Sequence, residues 1–163
     1  MASWSHVVIA APELAGSVQE RFDAHGLGLL ATLRRDGSPR ISGIEPLFAL
    51  GELWLGMMPE SRKELDLLRD PRFALHSATT DKQVTHGDAK VSGRVVPVDA
   101  DADATFTAMR AAFAAHTGSP TPPGPFPLFR ADVVELSMVR PAGDHLDIDS
   151  WREGGQVKRI ERF

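Results

Sequence analysis

Behind Pro12, apolar residues recur every four positions at Leu14, Val18 and Phe22, and Gly26 offers a left-handed stop. That spacing predicts a first helix, because about 3.6 residues per turn brings the three side chains onto one face. From Leu27 the period shortens. The run LGLLATLRRDGSPRISGIEPLF reads as two extended segments folded about Asp36-Gly37, a dipeptide that favours positive φ and so a hairpin. GELWLGMM adds a third segment after a tight turn at Gly51, and the three together predict an antiparallel meander. Ser61 with Glu64 three residues later has capping-box spacing, so a second helix is expected up to the Asp70-Pro71 stop, with Leu65 and Leu68 as its buried stripe.

FALHSA, from Phe73, reads as a strand. In DAKVSGRVVPV, Ala89, Val91, Gly93 and Val95 alternate with Lys90, Ser92, Arg94 and Val96, and Gly93 marks a bend or a close backbone approach. The Ala-rich segment ADADATFTAMRAAFAAH carries Phe106, Met109 and Phe113 at helical spacing before Gly118, which makes it the strongest helix signal in the chain. SPTPPGPFP holds five of the 12 prolines and is expected to be a surface loop. Strands resume with LFRADVVELSMVRP and HLDIDSW, ahead of a basic tail at Lys158, Arg159 and Arg162.

This order of elements, joined by hairpin-type connections, argues for an α+β fold: an antiparallel sheet closed into a split β-barrel with two or three flanking helices. The 163 residues are 42% hydrophobic and contain no internal repeat or domain-splitting linker, so residues 1–163 are expected to form one domain. With 18 Lys+Arg against 22 Asp+Glu the net charge is −4, which leaves no global field for a polyanion; any phosphate site must be a local concentration of charge. Cysteine is absent, which excludes disulfides, thiolate zinc sites and cysteine nucleophiles. The start, MASWSHVVIAAPELAG, has no cationic n-region, and no apolar run approaches membrane-spanning length, so a soluble cytoplasmic protein is expected, without membrane or nucleic-acid partners.

The sharpest local feature is Ser61-Arg62-Lys63-Glu64 directly after a strand. A helix start offers free N–H groups and a partial positive charge, and Arg62 and Lys63 add full charges, a combination suited to an anion. Capping by Ser61 and Glu64, with Arg62 and Lys63 solvated, explains the same residues. Arg40 begins the second extended segment. Strict alternation puts Arg40, Ser42 and Ile44 on one face and Glu45 on the other, unless a bulge at Gly43 turns Glu45 inward. Arg40 could thus reach the same anion, or stand exposed. None of His6, His25, His76, His86, His116 and His145 has a diagnostic metal spacing, and no P-loop, G-x-S-x-G or dinucleotide glycine run occurs. The acidic clusters Asp99–Asp103 and Asp144–Asp149 read as helix-start charge and an outer strand face. Trp4, Trp54 and Trp151, with no tyrosine, make no stacking platform for single-stranded nucleic acid.

Taken together, GLLATLRRDGSPRISGIEPLF, ELWLGMMPESRKELDLLRDPRFALHSA and GDAKVSGRVVPV resemble the pyridoxamine 5′-phosphate oxidase-like family of flavin- and deazaflavin-binding split β-barrels. The resemblance is close from Leu27 to Val98 and looser elsewhere. It implies Arg40, Ser61, Arg62 and Lys63 on the cofactor phosphate and Ile41, Ser42, Gly56 and Met57 along the ring. The tail, Trp151-Arg-Glu-Gly-Gly155 followed by Lys158-Arg-Ile-Glu-Arg162, echoes the family's ending and implies Trp151 and Arg162 as cofactor contacts from the partner subunit of a homodimer. Three positions depart from the oxidase pattern: Glu45 stands where it has lysine, Met57 where threonine is common, and Ile160 where it has the histidine that helps hold the vitamin substrate. The last argues against true pyridoxamine phosphate oxidase activity. The function implied is an FMN-binding oxidoreductase acting on a small organic substrate. The alternatives are a deazaflavin-dependent reductase and a non-catalytic flavin- or haem-binding module, haem requiring an axial ligand such as His76, His86 or His145.

Overall fold

The computed structural model describes residues 2–98, 104–121 and 124–163. The chain opens with two helices, α1 (Trp4–Ala10) and α2 (Pro12–Asp23). The strands β1 (Gly28–Leu33), β2 (Pro39–Ile44), β3 (Pro46–Ala49) and β4 (Glu52–Gly56) follow, then α3 (Arg62–Arg69). After β5 (Arg72–Ser77) and β6 (Asp88–Pro97) come α4 (Ala104–Thr117), β7 (Leu128–Ala142), β8 (His145–Arg152) and β9 (Lys158–Arg162). The described residues thus contain four helices where two or three were expected. The additional one is α1: Ser3 caps it by accepting from the His6 N–H, and Trp4 and Val7 bury its inner side. The acidic run at residues 99–103 and part of the proline-rich loop, residues 122–123, lie outside the described residues.

Every named strand pairing is antiparallel. The main ladder runs β2-β1-β5-β6-β7-β4-β3, and β8 and β9 extend from β7. Asp36-Gly37 makes the β1–β2 hairpin as expected, with Gly37 at φ 82° and Asp36 accepting from the Ser38 N–H. The expected single second segment instead divides at Glu45 into β2 and β3, which occupy opposite ends of the ladder. The meander expectation is therefore corrected, and so is the closed barrel: the sheet curls, but its ends are joined by the chain at Glu45 and not by a ladder of hydrogen bonds.

Alternation decides which residues line the core. Leu30, Ile44, Leu53, Leu55, Leu75, Val91 and Leu136 point inward, where α1 and α2 cover them with Trp4, Val7, Leu14, Val18 and Phe22. A second cluster lies on the other face of β3 and β4, where Leu47 and Trp54 pack beneath Phe106, Met109 and Phe113 of α4. The helical spacing read in the Ala-rich segment is thus the stripe that α4 buries. Among the described residues no helix is long and apolar enough to cross a membrane.

The pairing of β6 with β7 slips between Ser92 and Gly93. A Cβ at Gly93 would come within 2.1 Å of the Asp132 carbonyl oxygen, so this bulge admits only glycine without backbone movement. Gly93→Ala is expected to cost about 3 kcal/mol in urea unfolding. Gly43→Ala, whose added methyl meets nothing within 4 Å, should stay within about 1 kcal/mol of the parent. Equal stabilities for the two variants would contradict the bulge.

Candidate functional site at the open edge of the second strand

Within the main ladder β2 is hydrogen-bonded only to β1, so its other edge is free of strand partners. The β1–β2 register is unbroken from Gly28↔Ile44 to Leu33↔Pro39. Regular alternation therefore turns Arg40, Ser42 and Ile44 to the inner face, and Ile41 and Gly43 to the outer one. No bulge turns Glu45 inward; it is exposed in the link to β3. The start of α3 lies against the same strand. Lys63 Nζ donates to the Gly43 carbonyl at 3.1 Å, while Ser61 caps the helix by accepting from the Glu64 N–H at 3.4 Å. Arg62 is exposed and makes no hydrogen bond or ion pair among the described residues. The structure thus joins the two sequence features that suggested an anion site: a strand arginine and a helix-start lysine share β2.

Asp66 of α3 ties that arrangement together. It is buried and accepts from Arg40 Nε at 2.6 Å and Thr32 Oγ1 at 2.9 Å, both on Oδ2, and from Arg69 Nη2 at 3.2 Å on Oδ1. Arg69 also donates to the Leu33 carbonyl. Burial alone would raise the carboxyl's pKa, but the hydrogen bonds from Arg40, Thr32 and Arg69 outweigh it and hold Asp66 below the usual carboxylate range. This cluster also sets the roll of α3. The helix turns Asp66 and Leu67 inward and leaves Leu65 and Leu68 44% and 57% exposed, so the expected Leu65/Leu68 stripe is corrected. A carboxylate with three donors to meet outweighs two leucines that find no apolar wall.

The remaining candidates are distributed over the molecule. Ile41, 70% exposed, lines an open groove of about 440 Å³ on the outer sheet face, together with Leu29, Ala31, Ala74, His76 and Lys90. Gly56 and Met57 lie at and just beyond the end of β4. A Cβ at Gly56 would meet Phe113 and Phe126 at 3.1 Å, and Met57 is buried in the main core, so both are covered within the chain. Trp151 is 1% exposed in β8, and its indole N–H has no hydrogen-bond partner among the described residues. Arg162 is exposed on β9 opposite Leu146, about 17 Å along the strand from Trp151 at roughly 3.3 Å per residue. In the ladder β8 and β9 branch from β7, which β1, β5 and β6 separate from β2, and neither residue hydrogen-bonds to Arg40 among the described residues.

Sequence reasoning missed Asp66, Thr32 and the groove. It also missed a juxtaposition of His145, Asp147 and Glu161, whose donor atoms lie within 4.8 Å of one another. The signal for the last was present: His-x-Asp on a strand puts both side chains on one face, and Glu161 pairs directly with Asp147. Arg159 Nη1 stands 3.7 Å from Asp147, so a cation is already in place there.

A family model described as pyridoxamine 5′-phosphate oxidase matches residues 14–140. Among solved structures, PhzG from Burkholderia lata 383, in complex with tetrahydrophenazine-1-carboxylic acid, aligns with TM-score 0.63 and 18% identity over 95% of this chain and 90% of its own. Campylobacter jejuni ChuZ aligns with TM-score 0.68 and 14% identity over 94% and 68% of the two chains. HutZ, the haem storage protein from Vibrio cholerae, aligns with TM-score 0.58 and 17% identity over 90% and 96%. At these identities the structural likeness concerns the fold. No curated protein matches the chain in sequence.

The depressed pKa of Asp66 makes the attachment of α3 acid-sensitive. Its ordinary value is 3.8 and its folded value is lower, so its contribution is present above the ordinary value and lost as pH falls through the folded one. Asp66→Asn should cost about 1–3 kcal/mol at pH 7, and the gap to the parent should narrow as pH falls below about 4. Urea unfolding at pH 7 and pH 3 measures both; a gap that stays constant would show that the carboxylate carries no such linkage.

Proposed function

The chain belongs to the pyridoxamine 5′-phosphate oxidase family, and from that premise we propose that it is an oxidoreductase that holds FMN by its phosphate at the β2 edge and acts on a small organic substrate. The observation that carries this reading is the convergence of Arg40 and Lys63 on one strand at the start of α3, with Arg62 beside them. In a chain of net charge −4 such a concentration of cations is the local field a phosphate requires. The donor set fits that group: the Nη groups of Arg40 make no hydrogen bond among the described residues, and Arg62 and the helix-start N–H groups add further donors. Glu45, which stands where the oxidase pattern has lysine, is exposed in the link beyond the end of β2 and off the alternation that turns Arg40 inward.

A ligand anchored at Arg40 would cross the free edge of β2 to reach the groove beside Ile41, whose volume of about 440 Å³ suits a planar ring system. When bound, FMN supplies hydride or electron transfer, and the protein's share is to bind and orient it. A deazaflavin coenzyme carrying a phosphate would use the same donors. Haem is a second reading, favoured by His76: its Nδ1 donates to the Ser77 carbonyl at 2.7 Å, and the side chain lines the groove. The exposed apolar residues Leu29 and Ile41 on the groove face support a homodimer in which a second copy covers that surface.

The absorbance spectrum of freshly purified protein separates flavin, deazaflavin and haem directly, and the expected result is a flavin spectrum. Arg40→Ala and Lys63→Ala should each weaken FMN by about 1.5–3 kcal/mol while leaving riboflavin nearly unchanged. Glu45→Lys should alter FMN affinity little. Equal losses for FMN and riboflavin would mean that these cations only shape the helix start. Light scattering should give twice the 17.7 kDa chain mass; a monomer would defeat the dimer reading.

A further inference from the structure

Arg40 is held in an asymmetric way. Its Nε donates to Asp66 at 2.6 Å, whereas neither Nη group makes a hydrogen bond among the described residues, and 24% of the side chain is exposed. Guanidinium is a planar fork, so a carboxylate fixing its Nε edge leaves the remaining Nη donors directed elsewhere in a defined plane. Asp66 is itself immobilised. Thr32 of β1 donates to the oxygen that receives Arg40, and Arg69 donates to the other, so the carboxylate cannot turn without losing a partner. Arg69 also offsets much of the negative charge that would oppose an approaching anion.

We infer that Asp66 is a positioning residue for the anion site: it holds Arg40 so that the free Nη groups stand preformed beside the open edge of β2, and it thereby sets how strongly the site prefers a phosphorylated ligand to its phosphate-free form. The inference rests on the phosphate reading of this edge given above. Its physical basis is preorganisation. A long surface arginine loses rotamer freedom when it closes on a phosphate, and an arginine already fixed by a buried carboxylate loses much less. The roll of α3 follows the same logic, since the helix buries Asp66 in a position that Leu65 or Leu68 would otherwise occupy.

The test is a double-mutant cycle read with two ligands. FMN and riboflavin are titrated into the parent, Asp66→Asn, Arg40→Ala and the double variant, with flavin fluorescence as the readout. Asp66→Asn should weaken FMN about tenfold and riboflavin less than about twofold, and the double variant should bind FMN no more weakly than Arg40→Ala alone. FMN affinity that is unchanged or tighter in Asp66→Asn, equal losses for both ligands, or losses that add to those of Arg40→Ala would each overturn the inference. A measurement on the parent alone covers the case in which Asp66→Asn does not fold: the Arg40 Nε–H in ligand-free protein should exchange with solvent much more slowly than that of Arg62, and equal rates would overturn the inference. A parent that binds FMN and riboflavin equally defeats the phosphate reading and this inference with it, whereas an FMN preference that survives in Asp66→Asn defeats only the role of Asp66.

Discussion

One residue, Glu45, separates two strands that lie at opposite ends of a seven-strand ladder, and most of the architecture follows from that short link. The sheet must curl until β2 and β3 are neighbours. Yet these strands cannot pair with each other. An antiparallel pair needs a reversing turn of about two residues, and a parallel pair needs a crossover of about a dozen. The curl therefore ends in a seam, and β2 keeps one edge without a strand partner.

Beside that edge α3 is tied to β2 and β1, and the attachment is polar. Asp66 draws Arg40 from β2, Thr32 from β1 and Arg69 from its own helix onto one buried carboxylate. Breaking such a group apart leaves an uncompensated buried charge, so the contact constrains the helix more tightly than its two exposed leucines could. Its consequence reaches the surface. With Asp66 turned inward, Lys63 lies over Gly43 and Arg62 points to solvent, which gathers the cations at the seam.

The strand that carries the seam also borders the groove. Arg40 and Ile41 are consecutive, and alternation sends one to the inner face and the other to the outer. Arg40 and an apolar wall thus sit on either side of a single strand edge, the arrangement the proposed ligand, with a phosphate and a flat ring, would need. Folds of one family host different ligands, so the proposed ligand rests on these donors and not on the curl of the sheet.

The amino-acid sequence by itself determined the features that depend on near neighbours. Asp36-Gly37 turned the first hairpin, Gly93 marked the close backbone approach of β6 to the bulge in β7, Phe106, Met109 and Phe113 marked the buried stripe of α4, and Ser61 capped α3. Each is written in a few adjacent residues through turn chemistry, period or capping. Tertiary structure alone decided that the second extended segment breaks at Glu45, that Leu65 and Leu68 face outward, and that Arg40 meets Asp66, 26 positions away. Strand order and the desolvation of a carboxylate are settled only when distant segments pack, and no local pattern encodes which of several acidic residues will lie beneath a given arginine.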